Sequence, residues 1–361
     1  MKLLIAGGGT GGHLMPALAL AHVAAEAGHQ VVLVGATRGI EAQILPRHPY
    51  PFHLLPFEPV YRRTWLRNLR WPLIALRAWR STGRVLDLER PALVIGTGGY
   101  AAGPVVWRAQ RRGIPTALQE QNAFPGLTTR LLAAKARQVH LGFPEARARL
   151  SPGAATEVFA LGNPIARPEA IDPALARARF GLDPSRRTVL VFGGSQGARA
   201  LNEALADALI GGALSEVNVL WGTGTAAQQR FTPLAQPGRV SISGFFDPIA
   251  PAYAAADFVV SRAGAMTVAE LCAWGKPSIL IPLPTAAADH QRVNARALAA
   301  AGAAEMLEES ALTPESLARA ITALALDGAR RDALAKAAGA RGNPDAARAI
   351  VSKVLTLVER D

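Results

Sequence analysis

The chain has one cysteine, Cys272, among 361 residues. No intramolecular disulfide can form, and a reducing compartment fits. Cys272 lies in the apolar stretch Val268–Trp274 and reads as core. Long apolar runs are also missing. The uncharged stretch Pro91–Trp107 is broken by Gly96, Gly98, Gly99, Gly103 and Pro104, so it does not span a bilayer. Leu3–Ala6 is too short for the apolar region of a signal peptide, and Gly7 turns the chain at once. Acid is scarce, with 27 Asp plus Glu against 39 Lys plus Arg, a formal charge of +12. That surplus points to a polyanionic partner (nucleic acid, anionic membrane or phosphorylated substrate) or to a solvated Arg-rich surface. No Asp-x-Asp motif offers a divalent ion a site, and Asp87-Leu88-Glu89 reads as solvated helix. No Gly-Lys-Ser/Thr follows a glycine-rich turn, which excludes a P-loop.

Short apolar strands alternate with longer helical segments, the pattern of a parallel, doubly wound α/β sheet. Leu3–Ala6 predicts a buried strand, Gly7–Gly12 a turn, and Leu14 to about Ala27 a helix. Further strands are expected at Gln30–Val34, Ala92–Ile95 and Thr116–Leu118. After Gly162-Asn163-Pro164 the pattern restarts with Thr188–Phe192, then Val217–Trp221, Val240–Ser243, Phe258–Ser261 and Ser278–Ile281. Two Rossmann-like domains are expected, residues 1–163 and 164–343, facing a cleft. A capped amphipathic helix, about 344–361, is free to pack on either, including back on the first.

Each domain opens with a strand that runs into a glycine-rich turn, Gly7–Gly12 and Gly193–Gly197. Such turns let backbone approach a ligand, and the following helix offers N–H groups to a phosphate. The alternative is tight strand–helix packing alone. A nicotinamide or flavin site wants an acid at the end of the second strand. That strand ends Val34-Gly35-Ala36-Thr37, with no acid until Glu41, which argues against a dehydrogenase.

Several motifs occur in order: Gly7–His13 (GGGTGGH), Gly98-Gly99-Tyr100, Glu120-Gln121-Asn122, Gly162-Asn163-Pro164, Gly193–Ala198 (GGSQGA), Ala265–Glu270, and His290-Gln291 with Asn294. Together they make the chain resemble the MurG family of peptidoglycan N-acetylglucosaminyltransferases over its whole length. The resemblance implies a two-domain GT-B fold and an inverting transfer of N-acetylglucosamine. The donor is UDP-N-acetylglucosamine, and the acceptor is undecaprenyl-pyrophosphoryl-N-acetylmuramoyl-pentapeptide. It also implies peripheral attachment to the cytoplasmic face of the membrane and partners in the machinery of cell-wall synthesis, cell shape and division. By the same resemblance Thr10, Gly11, Gly12 and Asn122 contact the sugar end of the donor, as does Gln291. Ser195 binds the diphosphate or nucleoside. Ala265, Met266, Thr267, Val268 and Ala269 line the nucleotide pocket, with Glu270 on the ribose hydroxyls and Phe246 walling the uracil. The chain departs from the family at Gln119, where a histidine is usual. It departs again after Gly-Asn-Pro, where Ala166 displaces the arginine by one residue, to Arg167.

Glycosyl transfer needs an activated acceptor hydroxyl and a stabilised diphosphate leaving group. Helix N-termini can neutralise the latter, so no metal and no cofactor are expected. His13, an imidazole beside the first turn, is the expected general base, unless it only hydrogen-bonds the loop. Glu120 is the second candidate, unless it is a buried structural carboxylate. Thr267–Glu270 also fits a capping box, the alternative to ribose binding. Tyr61–Arg84 carries seven arginines and no acid, interleaved with Trp and Leu. Trp65, Arg67, Arg70, Trp71 and Trp79 are expected to dock on anionic membrane. A helix packed on its own domain is the alternative, and no nucleic-acid motif accompanies the segment. Two other functions compete: a UDP-N-acetylglucosamine 2-epimerase, and a non-catalytic nucleotide-sugar-binding or nucleic-acid-binding module.

Overall fold

The computed structural model describes residues 1–58, 71–194 and 197–358. The chain divides into two compact units: Met1–Ala166 together with the stretch from Pro344 onward, and Arg167–Asn343.

The first unit is built on β1 (Lys2–Ala6), β2 (Gln30–Ala36), β3 (Phe52–Leu55), β4 (Leu93–Gly96), β5 (Thr116–Glu120), β6 (Gln138–Leu141) and β7 (Glu157–Phe159). They form one sheet in the order β3-β2-β1-β4-β5-β6-β7, and every pair is parallel. Leu3, Leu4, Ile5 and Ala6 are all fully buried. Helices cover both faces of a parallel sheet, so its central strands are apolar throughout instead of alternating. The strand order reverses between β1 and β4, and the first glycine turn leaves the sheet there, at the place where such folds bind ligands.

The second unit repeats the plan with β8 (Thr188–Phe192), β9 (Asn218–Gly222), β10 (Val240–Ser243), β11 (Phe258–Ser261), β12 (Ser278–Leu280) and β13 (Glu305–Met306). Its order is β10-β9-β8-β11-β12-β13, again parallel. The reversal falls between β8 and β11, where the second glycine turn begins. Two parallel-sheet α/β units are the class that the alternation of strands and helices implies. Trp221, fully buried, anchors this core, its indole N–H donating to Asn202 Oδ1 at 3.0 Å. Cys272 is buried, and burial pushes its thiol up to about 11, which makes it unreactive.

The C-terminal helix Ala346–Leu355 packs on the first unit. Ile350, Val351 and Val354 fall on one helical face and join Leu3, Ile5, Leu14 and Leu20 in a common core. No helix among the described residues is long and apolar enough to cross a membrane.

His140 on β6 is fully buried, stacked on Phe159, and its Nε2 meets Gln138 Oε1 at 3.1 Å. Burial, reinforced by the Lys353 charge, pushes its imidazole down to about 4. In the unfolded chain the ring takes its proton near 6.5. Between those values the unfolded state binds more protons, so stability falls as pH falls. The loss is expected to reach about 3 kcal/mol by pH 4. Denaturant unfolding across that range should show the slope, and His140→Leu should lose most of it. An unchanged slope in the variant would assign it to other groups.

Candidate active site

Two kinds of glycine make up the first turn. A Cβ on Gly7 would stand 1.9 Å from Thr97 Oγ1, one on Gly8 2.2 Å from Glu41, and one on Gly9 2.5 Å from the Tyr100 ring. Those three are required by the protein's own packing. A Cβ on Gly11 would meet nothing within 4 Å, and one on Gly12 only Thr10 Oγ1 at 3.7 Å. Neither has a positive φ. Packing and backbone conformation leave their lack of a side chain unexplained, as expected where a ligand comes close. Both stand at the N-terminus of the helix Gly11–Glu26, whose exposed N-cap is Thr10. The Thr10 carbonyl accepts from His13 and Leu14. The N–H groups of Gly11 and Gly12 have no partner among the described residues.

His13 is half-buried, and its Nδ1 lies 3.2 Å from the Thr97 carbonyl and 2.9 Å from Gln121 Oε1. A carbonyl only accepts. The Gln121 amide is oriented too, because its Nε2 donates to Thr97 O at 2.7 Å and to Gln119 O at 3.0 Å. Nδ1 therefore carries the proton, and Nε2 of the neutral ring keeps its lone pair. Behind Gln121, Gln119 donates to Asn163 Oδ1 at 2.9 Å, and Asn163 donates to Gln121 O at 3.0 Å. Gln119, Gln121 and Asn163 are all buried. Gln119 is thus part of the scaffold that orients His13.

Both oxygens of Glu120 are engaged, the arrangement of a buried structural carboxylate. Its Oε1 accepts the Asn122 N–H at 3.1 Å, and its Oε2 accepts from Gly126 N at 2.9 Å and Thr129 Oγ1 at 2.6 Å. Both oxygens hold the loop that follows β5, and the side chain is buried. Asn122 is half-buried on that loop.

In the second unit, Gly194 and Gly197 adopt φ of +86° and +70°. A Cβ on Gly197 would lie 2.3 Å from the Thr223 carbonyl, so the turn presses against the end of β9. Ser195 lies outside the described residues. The helix Ala265–Ala273 has Gly264 as its N-cap and no side-chain cap bond. Thr267 and Glu270 therefore sit inside the helix, and the capping-box alternative does not form. Ala265 and Val268 are buried, whereas Met266, Thr267, Ala269 and Glu270 are half-buried. Glu270 Oε2 accepts from the buried Tyr253 hydroxyl at 2.7 Å, leaving Oε1 without a partner among the described residues. Burial pushes the Glu270 carboxyl above its ordinary value, partly offset by that hydrogen bond. Gln291 Oε1 accepts from Leu283 N at 3.0 Å, which directs its Nε2 as a donor elsewhere. Phe246 packs edge-on against Phe180 at 5.7 Å. Arg167 is exposed at the start of this unit.

Trp65, Arg67 and Arg70 lie outside the described residues. Trp71 opens the helix Trp71–Glu89. On that helix Trp79 packs against Trp107 at a tilt of 50°, ring centroids 4.6 Å apart, and lies under the Arg108 guanidinium at 3.4 Å. Trp79, Ile74, Tyr100, Trp107, Leu127 and Leu131 are among the residues lining an apolar groove of about 540 Å³. The side-chain alternation of this segment carried the signal for its apolar face.

Sequence reasoning missed two residues. Glu41 reaches back to the first turn, and Arg262, buried beyond β11, pairs with Glu309 and donates to the Ile281 carbonyl at 3.2 Å. A lone charged residue just past a buried strand was the available signal for Arg262.

Residues 3–141 match the glycosyltransferase family 28 N-terminal domain, and residues 188–350 the glycosyltransferase family 28 C-terminal domain. The chain is 42% identical over 365 residues to a protein of Chlorobaculum parvum, covering 99% of each. It is 42% identical over 364 residues to one of Myxococcus xanthus, covering 99% of this chain and 93% of that protein. Both are named UDP-N-acetylglucosamine--N-acetylmuramyl-(pentapeptide) pyrophosphoryl-undecaprenol N-acetylglucosamine transferase. Among solved structures, MurG of Acinetobacter baumannii superposes with a TM-score of 0.78 at 30% identity, covering 100% of this chain and 99% of that one. A UDP-N-acetylglucosamine 2-epimerase of Listeria monocytogenes reaches 0.66 at 14% identity, covering 100% and 96%, a likeness of fold alone.

Proposed function

The chain belongs to the MurG family within glycosyltransferase family 28, and we propose how its own residues carry the family's reaction. It is a glycosyltransferase that moves N-acetylglucosamine from UDP-N-acetylglucosamine to undecaprenyl-pyrophosphoryl-N-acetylmuramoyl-pentapeptide, converting lipid I to lipid II. The observation that carries the residue assignment is the imidazole of His13, held with its proton on Nδ1 by two acceptors.

In this reading Nε2 takes the proton of the acceptor hydroxyl as its oxygen bonds to the anomeric carbon. The bond from that carbon to the UDP oxygen breaks, and its electron pair leaves with the diphosphate. The configuration inverts. As the imidazolium forms, Thr97 O and Gln121 Oε1 accept from its Nδ1–H and stabilise the new charge, the role of an orienting partner behind a base. Gly11 and Gly12 offer N–H groups to the acceptor diphosphate at a helix N-terminus. Thr10 and Asn122 face the sugar of the donor.

The second unit holds the nucleotide. Glu270 Oε1 accepts from the ribose hydroxyls while Tyr253 steadies the other oxygen. Phe246 walls the uracil, Ala265–Ala269 line the pocket, and Gln291 donates its amide to the sugar. Ser195 and Arg167 complete the diphosphate contacts, and the charge of the leaving group is met without a metal or cofactor. Turnover of labelled UDP-N-acetylglucosamine with a lipid I analogue tests the whole reading. UDP binding without product would overturn it.

The acceptor's lipid anchor requires a membrane surface, here the cytoplasmic face. The groove at Trp79 and Trp107, with the exposed Leu127 and Leu131 in its lining and the exposed Leu73 and Leu76 on the same helix as Trp79, supports docking there. Arg77, Arg80 and Arg84 of the same helix supply attraction to anionic lipid. Cosedimentation with anionic vesicles is expected to weaken about tenfold or more in Trp79→Ala/Trp107→Ala. Unchanged binding would remove this face from the docking surface.

A further inference from the structure

Glu41 is fully buried, yet pairs with no cation among the described residues. Its Oε1 accepts from Gly9 N at 3.0 Å and Ala36 N at 2.8 Å, and its Oε2 from Gly9 N at 2.9 Å. Three glycines from separate stretches make room for it. A Cβ on Gly8 would stand 2.2 Å from Oε1, one on Gly35 2.5 Å from Cγ, and one on Gly39 2.2 Å from Oε2. The slot has the size of this side chain.

Burying a charge without a counter-ion is costly, and an apolar side chain would fill the same space more cheaply. What only the carboxylate does is turn the Gly9 N–H inward. The bond spans 32 residues and ties the end of β2 to the middle of the turn after β1. The Gly9 N–H is engaged by Glu41, and the Gly11 and Gly12 N–H groups, without partners among the described residues, follow in the same turn just before His13. The same contact explains why an acid beyond β2 does not recognise a ribose there: its oxygens are occupied under the turn.

We propose that Glu41 is a positioning residue, which holds the first glycine turn in the conformation that presents Gly11, Gly12 and His13 to the acceptor. The assignment rests on the reading of the first unit as the acceptor side. Glu41→Gln keeps the volume but sets an amide N–H against the Gly9 N–H. Gly35→Ala pushes on Glu41 Cγ from β2 without touching the turn, and is expected to act alike.

Hydrogen exchange of the peptide covering the turn is expected to quicken at least tenfold in both variants. Turnover should fall about 10- to 100-fold, UDP affinity should stay within twofold, and the shape of the kcat–pH profile should stay that of the wild type. Unchanged exchange and turnover in a folded Glu41→Gln protein would overturn the proposal. So would parallel loss of UDP binding, which would make the residue a general support of the fold, and so would loss of a pH limb, which would make it a titrating catalyst. Should the wild type itself fail to transfer sugar, the functional reading falls, and the exchange data still judge the role of Glu41 in the turn.

Discussion

His13→Ala is expected to lower kcat by about 10²- to 10⁴-fold, the range that a positioned general base contributes. UDP affinity should be unaffected, because the nucleotide contacts assigned above lie in the second unit. The argument is one of tautomer. Thr97 O can only accept, and the Gln121 amide is turned by its own donors, so both of the ring's acceptor neighbours demand a proton on Nδ1. The lone pair on Nε2 is what remains. A His13→Ala protein that turns over within threefold of wild type would move the base elsewhere.

The second large effect is expected at Glu270. In the proposed site its free oxygen accepts from the ribose hydroxyls, and hydrogen bonds to a charged acceptor contribute about 1.5–3 kcal/mol each. Glu270→Ala should weaken UDP binding by about 3 kcal/mol, roughly 10²-fold in Kd. A pH dependence follows from burial. The folded carboxyl holds its proton to a higher pH than an exposed glutamate, and the protonated form is the poorer acceptor. UDP affinity should therefore fall as pH drops through that raised value, and the Ala variant should be flat over the same range. Calorimetry with UDP reads both. Equal pH profiles for wild type and variant would sink the assignment.

The central strands were legible because they are buried on both faces and carry continuous apolar runs, as in Leu3–Ala6 and Thr188–Phe192. Strands β3, β6, β7 and β13 were not legible. β7 and β13 are half-exposed and short, and β6 reads Gln-Val-His-Leu, with two polar side chains buried. A polar residue looks like loop until its partners are known, and those of Gln138 lie at Glu157 and Lys353. The C-terminal helix showed its apolar face in sequence, but its partner was set by the core around β1. Thr267–Glu270 looked like a helix start, and Gly264 proved to be the cap, because a local pattern does not say where the preceding turn ends.

The carboxylates make the division plainest. From sequence, Glu41 was an acid too late to bind a ribose, and Glu120 a possible base. Both are buried and engaged by backbone N–H groups, one under the first glycine turn and one under the loop after β5.

What the sequence determined by itself was the α/β class, the two glycine turns and the family likeness. These rest on short-range patterns: strand runs, helical spacing and turn residues. Only the tertiary structure decided which glycines serve packing and which stand open, which acids are already engaged, and which nitrogen of His13 keeps its lone pair. Those outcomes depend on hydrogen bonds between residues 32, 84 and 108 positions apart. No local pattern carries that information, because it comes into being only when β1, β2, β4 and β5 are brought side by side.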